Sequence, residues 1–290
     1  CYTRYKGGMM MKRNYVLSTL AVVVAVLGFV VGILGNNIVA DLFPKNLSLL
    51  GTALGTIANI LICLFGIYLA GKIERRSLKE YGIYWRKKDY LHGIGGLVIG
   101  VAIFLIITLP LYLSGLYTLK SGNQDFYELA VHFIVFIAVG MTEELLFRGF
   151  IQHRLLRFGP MVALLISAFL FALVHGLNPN VSMVGLMNVF LAGCFFGAIM
   201  YLSGSLFTAI GAHITWNWTQ GSLLGIPVSG TNEPGYFSTL VKEGHTLWTG
   251  DNFGAEASLS ATLILALVTM GILFYLYKTK KIQRYGIDDL

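Results

Sequence analysis

The longest uncharged stretch of the chain covers residues 158–232 and reads FGPMVALLISAFLFALVHGLNPNVSMVGLMNVFLAGCFFGAIMYLSGSLFTAIGAHITWNWTQGSLLGIPVSGTN. It contains no Asp, Glu, Lys or Arg across 75 residues. Four other windows are also free of these residues, at 15–35, 46–71, 91–119 and 257–277. A helix needs about 20 consecutive apolar residues to cross a bilayer. These windows therefore predict transmembrane helices and not the strands of a soluble core.

The composition of the whole chain also indicates a membrane protein. Of its 290 residues, 56% are hydrophobic and 12% are charged, and the mean hydropathy is +0.72. A soluble domain carries about 25% charged residues. We therefore predict an all-α, polytopic integral membrane bundle of eight helices. Their predicted positions are about 15–35, 47–71, 91–117, 127–155, 160–176, 181–203, 205–228 and 258–277.

The basic residues orient these helices. Most of the 21 Lys and Arg residues lie at the N-terminus, in the loop 72–88, after the fourth helix and at the C-terminus, whereas Lys45, Lys120 and Lys242 lie in the opposite loops. Cytoplasmic loops carry the excess of Lys and Arg, so both termini are predicted to be cytoplasmic. The uncharged stretch must then hold an odd number of spans, and three fit its length. We interpret the basic character as contact with the lipid bilayer, and we expect no nucleic-acid partner.

The beginning of the chain gives two further expectations. The first apolar run is too long for a cleavable signal peptide and lacks a small-residue cleavage site before a soluble domain, so we expect it to remain in the membrane. Residues 1–8 precede Met9-Met10-Met11, and Lys6-Gly7-Gly8 among them resembles a translated purine-rich ribosome-binding site, so we expect translation to start within the methionine cluster. The cysteines Cys1, Cys63 and Cys194 form no CxxC zinc motif and no disulfide framework.

Two adjacent acids lie inside an otherwise apolar helix, in the segment MTEELLFRG at 141–149. Glu144 and Arg148 are four residues apart and share a helix face, in the order that favours an ion pair. Glu143 is rotated about 100° away from them. We predict that Arg148 neutralises Glu144, while Glu143 faces a cavity where it suits a general base. The alternative is a helix end at the cytoplasmic interface with ordinary surface charges.

Further polar residues lie at two places in the uncharged stretch. His175 ends the predicted fifth helix, and His213 and Asn217 lie on one face of the seventh helix. Together with Glu143 they could activate water and stabilise an oxyanion, or hold a metal. Straight helices would place His213 about 12 Å and His175 about 22 Å from the cytoplasmic side. The fifth helix must therefore tilt, start deeper or break if the two are to meet.

The other polar and small residues of these helices are interpreted as structural. His92, His132, Trp216 and Trp218 are expected to pack, and Asn188 is expected to hydrogen-bond between helices. The pair Gly193 and Gly197 is a small-residue motif for helix contact.

These motifs resemble the signature of the CAAX prenyl endopeptidase and bacteriocin-processing family, also called the Abi family. The resemblance rests on Glu143-Glu144-xxx-Arg148, Phe171-xxx-His175 and His213-xxx-Asn217. The run from Leu191 through Gly204-Ser205-Leu206 to His213 is similar as well, so that the resemblance covers about 126–220. We accordingly divide the chain into helices 1–3 (1–125), a protease core (126–228), and a loop with the last helix (229–290), where the loop 229–257 could act as a gate.

The resemblance implies an intramembrane endopeptidase. In that family's pattern Glu143 and His175 activate water, His213 and Asn217 stabilise the oxyanion, and Glu144 and Arg148 support the site. A zinc-dependent version would use Glu143, His175 and His213 as ligands. Because Asn is not among the usual zinc ligands, we expect no cofactor, with zinc as the alternative.

The expected partners of such a protein are a peptide or membrane-protein substrate and the lipid bilayer. Its expected location is a bacterial cell membrane. A non-catalytic binding or bacteriocin-immunity protein on the same fold, and a small transporter, are the rival hypotheses from other classes.

Overall fold

The computed structural model describes residues 7–44, 47–232 and 234–283, with side chains described from Tyr15 onward. Residues 1–6, which precede the expected start of translation, and the basic residues Arg4, Lys6, Lys45 and Arg284 lie outside this range. These described residues are helical apart from loops and one small sheet. Its main helices are α1 (Gly7–Asp41), α2 (Ser48–Glu74), α3 (Lys87–Leu113), α4 (Phe126–Glu144), α5 (Pro160–His175), α6 (Met183–Ser203), α7 (Leu206–Asn217) and α8 (Leu259–Lys278).

Two of these helices continue in the wider π-helical form. The π-helix Leu145–Gln152 follows α4, and the π-helix Trp218–Leu223 follows α7. Single π-helical turns inside α-helices occur frequently at functional sites. Both lie next to the candidate residues, directly after Glu144 and Asn217. The helices predicted at 127–155 and 205–228 therefore exist, but each contains a π-helical segment.

Membrane-spanning length separates the helices into two groups. In the described residues, six helical segments are long and apolar enough to cross a bilayer: Tyr15–Asp41, Ser48–Glu74, Lys87–Leu113, Phe126–Phe158, Met183–Ser203 and Leu259–Lys278. Helix α5 has 16 residues and is a shorter apolar helix. This confirms a multi-pass membrane protein, whereas the count of eight spans and the cytoplasmic termini stay predictions.

Three loop regions differ from the predictions. The seventh helical segment ends at Leu223 and not at residue 228, because Gly225 has a left-handed φ of 62° and Pro227 has no N–H for a helix. Helix α3 ends at Leu113, before Gly115, which has φ 70°. An antiparallel sheet, which was not predicted, pairs β1 (Tyr117–Ser121) with β2 (Phe237–Val241). Pairing with β1 holds β2, which belongs to the connection between α7 and α8, in a defined position.

Close backbone contact joins α1 to α2. A Cβ atom on Gly28 would lie 2.7 Å from the Cα of Gly66, and one on Gly66 would lie 2.8 Å from the Cα of Gly28. Side chains at these positions would force the helices apart. Small residues that permit such approach are a usual means of helix association in membranes.

Helix α6 forms the centre of the bundle. Buried residues make up 67% of its apolar window, compared with 22% for α1. It packs against α5, α7 and α8, while α3 packs against α7. Helix α5 is continuous from Pro160 to His175, so a break does not explain how His175 reaches the depth of His213.

Candidate active site

Three side chains from three helices meet at one carboxylate oxygen. Oε2 of Glu143 on α4 lies 3.9 Å from Nε2 of His175 on α5 and 3.8 Å from Nε2 of His213 on α7. The exposed fractions of the three side chains are 18%, 13% and 5%, in the same order. The residues that the motifs singled out are therefore adjacent, although the sequence alone placed two of them at different depths.

The hydrogen bonds of the two imidazoles fix how they face Glu143. Nδ1 of His175 lies 2.9 Å from the carbonyl oxygen of Phe171, and Nδ1 of His213 lies 2.9 Å from Oε1 of Glu144. A carbonyl only accepts hydrogen bonds, and so does an ionised carboxylate. Both Nδ1 atoms therefore donate. In the neutral rings, each Nε2 presents a lone pair toward Glu143.

Glu144 has a second partner, as the spacing predicted. Its Oε1 lies 3.1 Å from Nη1 of Arg148, and both side chains are completely buried. The guanidinium of Arg148 also lies over the rings of Phe171 and Phe196, at 4.3 and 5.6 Å from the ring centroids. Such faces attract a cation. Glu144 thus links the buried Arg148 to the site residue His213, a contact that the sequence did not predict.

We expect Glu144→Ala and Arg148→Ala to act mainly on assembly. Removing one partner of a buried pair leaves an uncompensated charge and costs about 3–5 kcal/mol. The double variant should lose less stability than the sum of the two single variants, as measured by thermal unfolding in detergent. The control is the more exposed pair Glu74–Arg154, whose charged atoms lie 2.7 Å apart. Replacing either residue of this pair with Ala should lower stability by a smaller amount. A double variant worse than the sum would argue against a coupled pair.

A cavity of about 190 Å³ opens beside the three residues. Its lining includes Asn217, which is 7% exposed and comes from the last turn of α7. A buried water occupies about 30 Å³, so this cavity has room for several. No hydrogen bond among the described residues engages the Asn217 amide. The amide is therefore available to a molecule in the cavity.

The far side of the cavity is formed by residues that the sequence analysis did not select. Val228, Ser229 and Thr231 line it, together with Glu256. We call residues 228–231 the roof turn. Val228 and Thr231 close it through a backbone hydrogen bond of 2.8 Å.

The roof turn is fastened to its neighbours on two sides. The side-chain amides of Asn178 and Asn180 donate to the carbonyls of Ser229 and Gly230, at 3.1 and 3.2 Å. On the other side Glu256 accepts a hydrogen bond from the backbone N–H of Ser229. The loop after α7 is therefore built into the site.

The chemistry of Glu143, His175 and His213 also suits a zinc ion. Zinc takes imidazole nitrogens and carboxylate oxygens, and a ligating histidine donates its other N–H to a carboxylate or carbonyl, as both rings do here. Ligand atoms around tetrahedral zinc lie about 3.4 Å apart, and two groups bridged by one water lie about 4.5 Å apart. The observed 3.8 and 3.9 Å fall between these values. No cluster at metal-ligand spacing occurs within 7–44, 47–232 and 234–283.

Three of the residues that were interpreted as structural, Asn188, Gly193 and Trp216, have contacts between helices. Asn188 on α6 donates to the carbonyl of Ser258 at 2.8 Å and accepts from Thr262 of α8 at 2.7 Å. A Cβ on Gly193 would lie 3.0 Å from the Cα of Ala168 on α5. Trp216 packs at 5.6 Å from Phe104 between ring centroids, but it also lines the cavity.

Comparison with known proteins adds one match. Residues 125–219 match the family model described as "Type II CAAX prenyl endopeptidase Rce1-like". No curated protein and no solved structure matches the chain. The match confirms the resemblance drawn from the motifs, and its range contains Glu143, His175, His213 and Asn217. Glu256 and the roof turn lie outside it.

Proposed function

We propose that this membrane protein is an endopeptidase of the CAAX-protease type that hydrolyses a peptide bond with water activated at Glu143. The family match supports an intramembrane protease in general. The observation that carries the residue roles is the convergence of two imidazole Nε2 atoms on one Glu143 oxygen beside a cavity. A carboxylate and imidazoles so placed can bind and deprotonate a water molecule.

In the first step Glu143 acts as the general base. Water held between Glu143 and Nε2 of His175 attacks the carbonyl carbon and gives its proton to Glu143. The lone pair on Nε2 accepts a hydrogen bond from the water and thereby orients it, since Nδ1 of His175 is held by Phe171.

Oxyanion stabilisation falls to His213 and Asn217. Nδ1 of His213 donates to Glu144, so Nε2 can donate to an oxyanion only when the ring is an imidazolium. The Glu144 carboxylate stabilises that cation. The amide N–H of Asn217 is the second donor, and fixed donors aimed at developing charge give large rate effects.

The proposal also includes the substrate class, the location and the orientation of the protein. The substrate is a peptide or membrane protein, and the enzyme resides in a bacterial cell membrane with both termini in the cytoplasm. In this orientation the roof turn lies on the extracytoplasmic side of the site. The excess of basic residues on one side supports this orientation.

We propose a metal-free mechanism and expect hydrolysis to survive strong chelators, with no stoichiometric zinc in the purified protein. The residue type at Asn217 supports this mechanism, because an amide donor suits an oxyanion and is not a usual zinc ligand. Metal analysis and peptide cleavage before and after chelation make the test. One equivalent of zinc, lost together with activity and restored with it, would establish the zinc-dependent alternative, in which the metal lowers the pKa of its bound water.

A further inference from the structure

The cavity contains an acid for which the proposed hydrolysis has so far no use. Glu256 lies on the short helix Ala255–Ala257 just before α8, is 8% exposed, and lines the cavity with Glu143, His175 and His213. Burying a carboxyl group in a bilayer protein is costly unless it has a partner or a task. Its hydrogen bond from the backbone of Ser229 accounts for one oxygen. Ser229 is the only residue in the described part of the chain that hydrogen-bonds to its carboxyl group.

We propose that Glu256 is a further catalytic residue, which gives its proton to the amine leaving group when the peptide bond breaks. This inference rests on the proposed function, since it supplies the second half of the same hydrolysis. General base and general acid are commonly separate groups in different surroundings. Glu143 takes up the proton of the attacking water, and a second acid that starts the reaction protonated can supply the nitrogen independently of that transfer.

The surroundings of Glu256 favour its neutral form. Burial raises the pKa of Glu256, and the hydrogen bond from Ser229 and the nearby His175 and His213 offset only part of this effect. The carboxyl group therefore keeps its proton at a pH at which an exposed glutamate is ionised. The protonated carboxyl group still has an O–H to donate, and it lines the cavity.

The atoms balance through the complete cycle. Water adds to the carbonyl carbon, and its proton goes to Glu143, which leaves an oxyanion on a tetrahedral carbon. The C–N bond then breaks, its electron pair stays on nitrogen, and the nitrogen takes the proton of Glu256. The products are a carboxylic acid and an amine. Proton transfer from Glu143 to Glu256 through cavity water restores the starting state without any co-reactant.

The test compares two leaving groups in one peptide. The substrates are a membrane peptide that the wild-type protein cleaves and its analogue with a thioester at the scissile position. An amine leaves only after protonation, whereas a thiol has a pKa of about 8.5 and leaves as thiolate. Glu256→Gln keeps the shape and the acceptor for Ser229 but has no proton to transfer. We expect it to lower amide turnover by about 100-fold or more and to leave thioester turnover unchanged.

The controls separate this role from a structural one. Glu243→Gln, an exposed acid of the same loop, should change neither rate. Equal losses on both substrates, or no loss on the amide, would overturn the proposal. If Glu256→Gln does not fold, Glu256→Asp and Glu256→Asn replace it, and equal amide rates in these two variants overturn it as well. A wild-type protein that cleaves neither substrate would instead refute the proposed function, and this inference with it.

Discussion

Replacing Glu143 with Gln is expected to abolish peptide hydrolysis while the protein still folds and inserts. The amide of Gln has nearly the same shape but cannot accept the proton of water. General acid–base catalysis contributes about 10²–10⁴-fold in rate, so turnover should fall by at least this factor. The partly exposed side chain of Glu143 lies at the cavity and makes no ion pair shorter than 3.8 Å in the described structure. Its replacement should therefore cost little stability.

The measurement is cleavage of a membrane peptide by purified wild type and variant at matched concentration, with thermal unfolding as the check on folding. Glu128→Gln is the matched control, because Glu128 lies in the first turn of the same helix and is exposed. That control should retain full activity. A properly folded Glu143→Gln protein with wild-type turnover would contradict the general-base role.

The second large effect is expected at Asn217. If its amide donates to an oxyanion, the contact strengthens only as charge develops, so that substitution lowers kcat more than it changes KM. Loss of one such donor costs about 2.7–4 kcal/mol, or about 100- to 1,000-fold in rate. Asn217→Asp keeps the size but places an acceptor where a donor is needed. We expect it to lose at least as much turnover as Asn217→Ala.

The ordering of these two variants separates three mechanisms. Under a zinc mechanism in which residue 217 is a fourth ligand, the carboxylate of Asn217→Asp would bind the metal better than the amide, and the Asp variant would be more active than the Ala variant. Under a packing role both would lose yield and thermal stability before specific activity. Kinetics and unfolding measured on the same preparations distinguish the cases, and an Asp variant more active than the Ala variant would remove the oxyanion role of Asn217.

Most of the helices and the side chains that share a helix face could be predicted because their signals are local. Uncharged windows of about 20 residues specify membrane helices, and the i,i+4 spacings placed Glu144 with Arg148 and His213 with Asn217 on common faces. The convergence of His175 and His213 on Glu143 could not be derived in this way. It depends on how short helices cross one another, and helical spacing carries no information about crossing.

The roof turn and Glu256 are parts of the site that the sequence did not predict. Glu256 lies in a loop rich in glycine and polar residues, where an acidic side chain is expected to be exposed to solvent. Its burial comes from contacts distant in the sequence, with Ser229 and with the cavity. The contact between Glu144 and His213 escaped prediction for a related reason, since Glu144 already had a sufficient partner in Arg148. A buried acid without a neighbouring base in sequence becomes visible only when the fold is known.

The central claim is that this protein adds water across a peptide bond inside the membrane. Its most direct test is incubation of the purified protein, in lipid nanodiscs, with a membrane peptide in water enriched in heavy oxygen, followed by mass spectrometry of the fragments. The account predicts two fragments, with one heavy oxygen in the new carboxyl group and none in the new amine. An intact peptide, or fragments that form equally with Glu143→Gln, would contradict it.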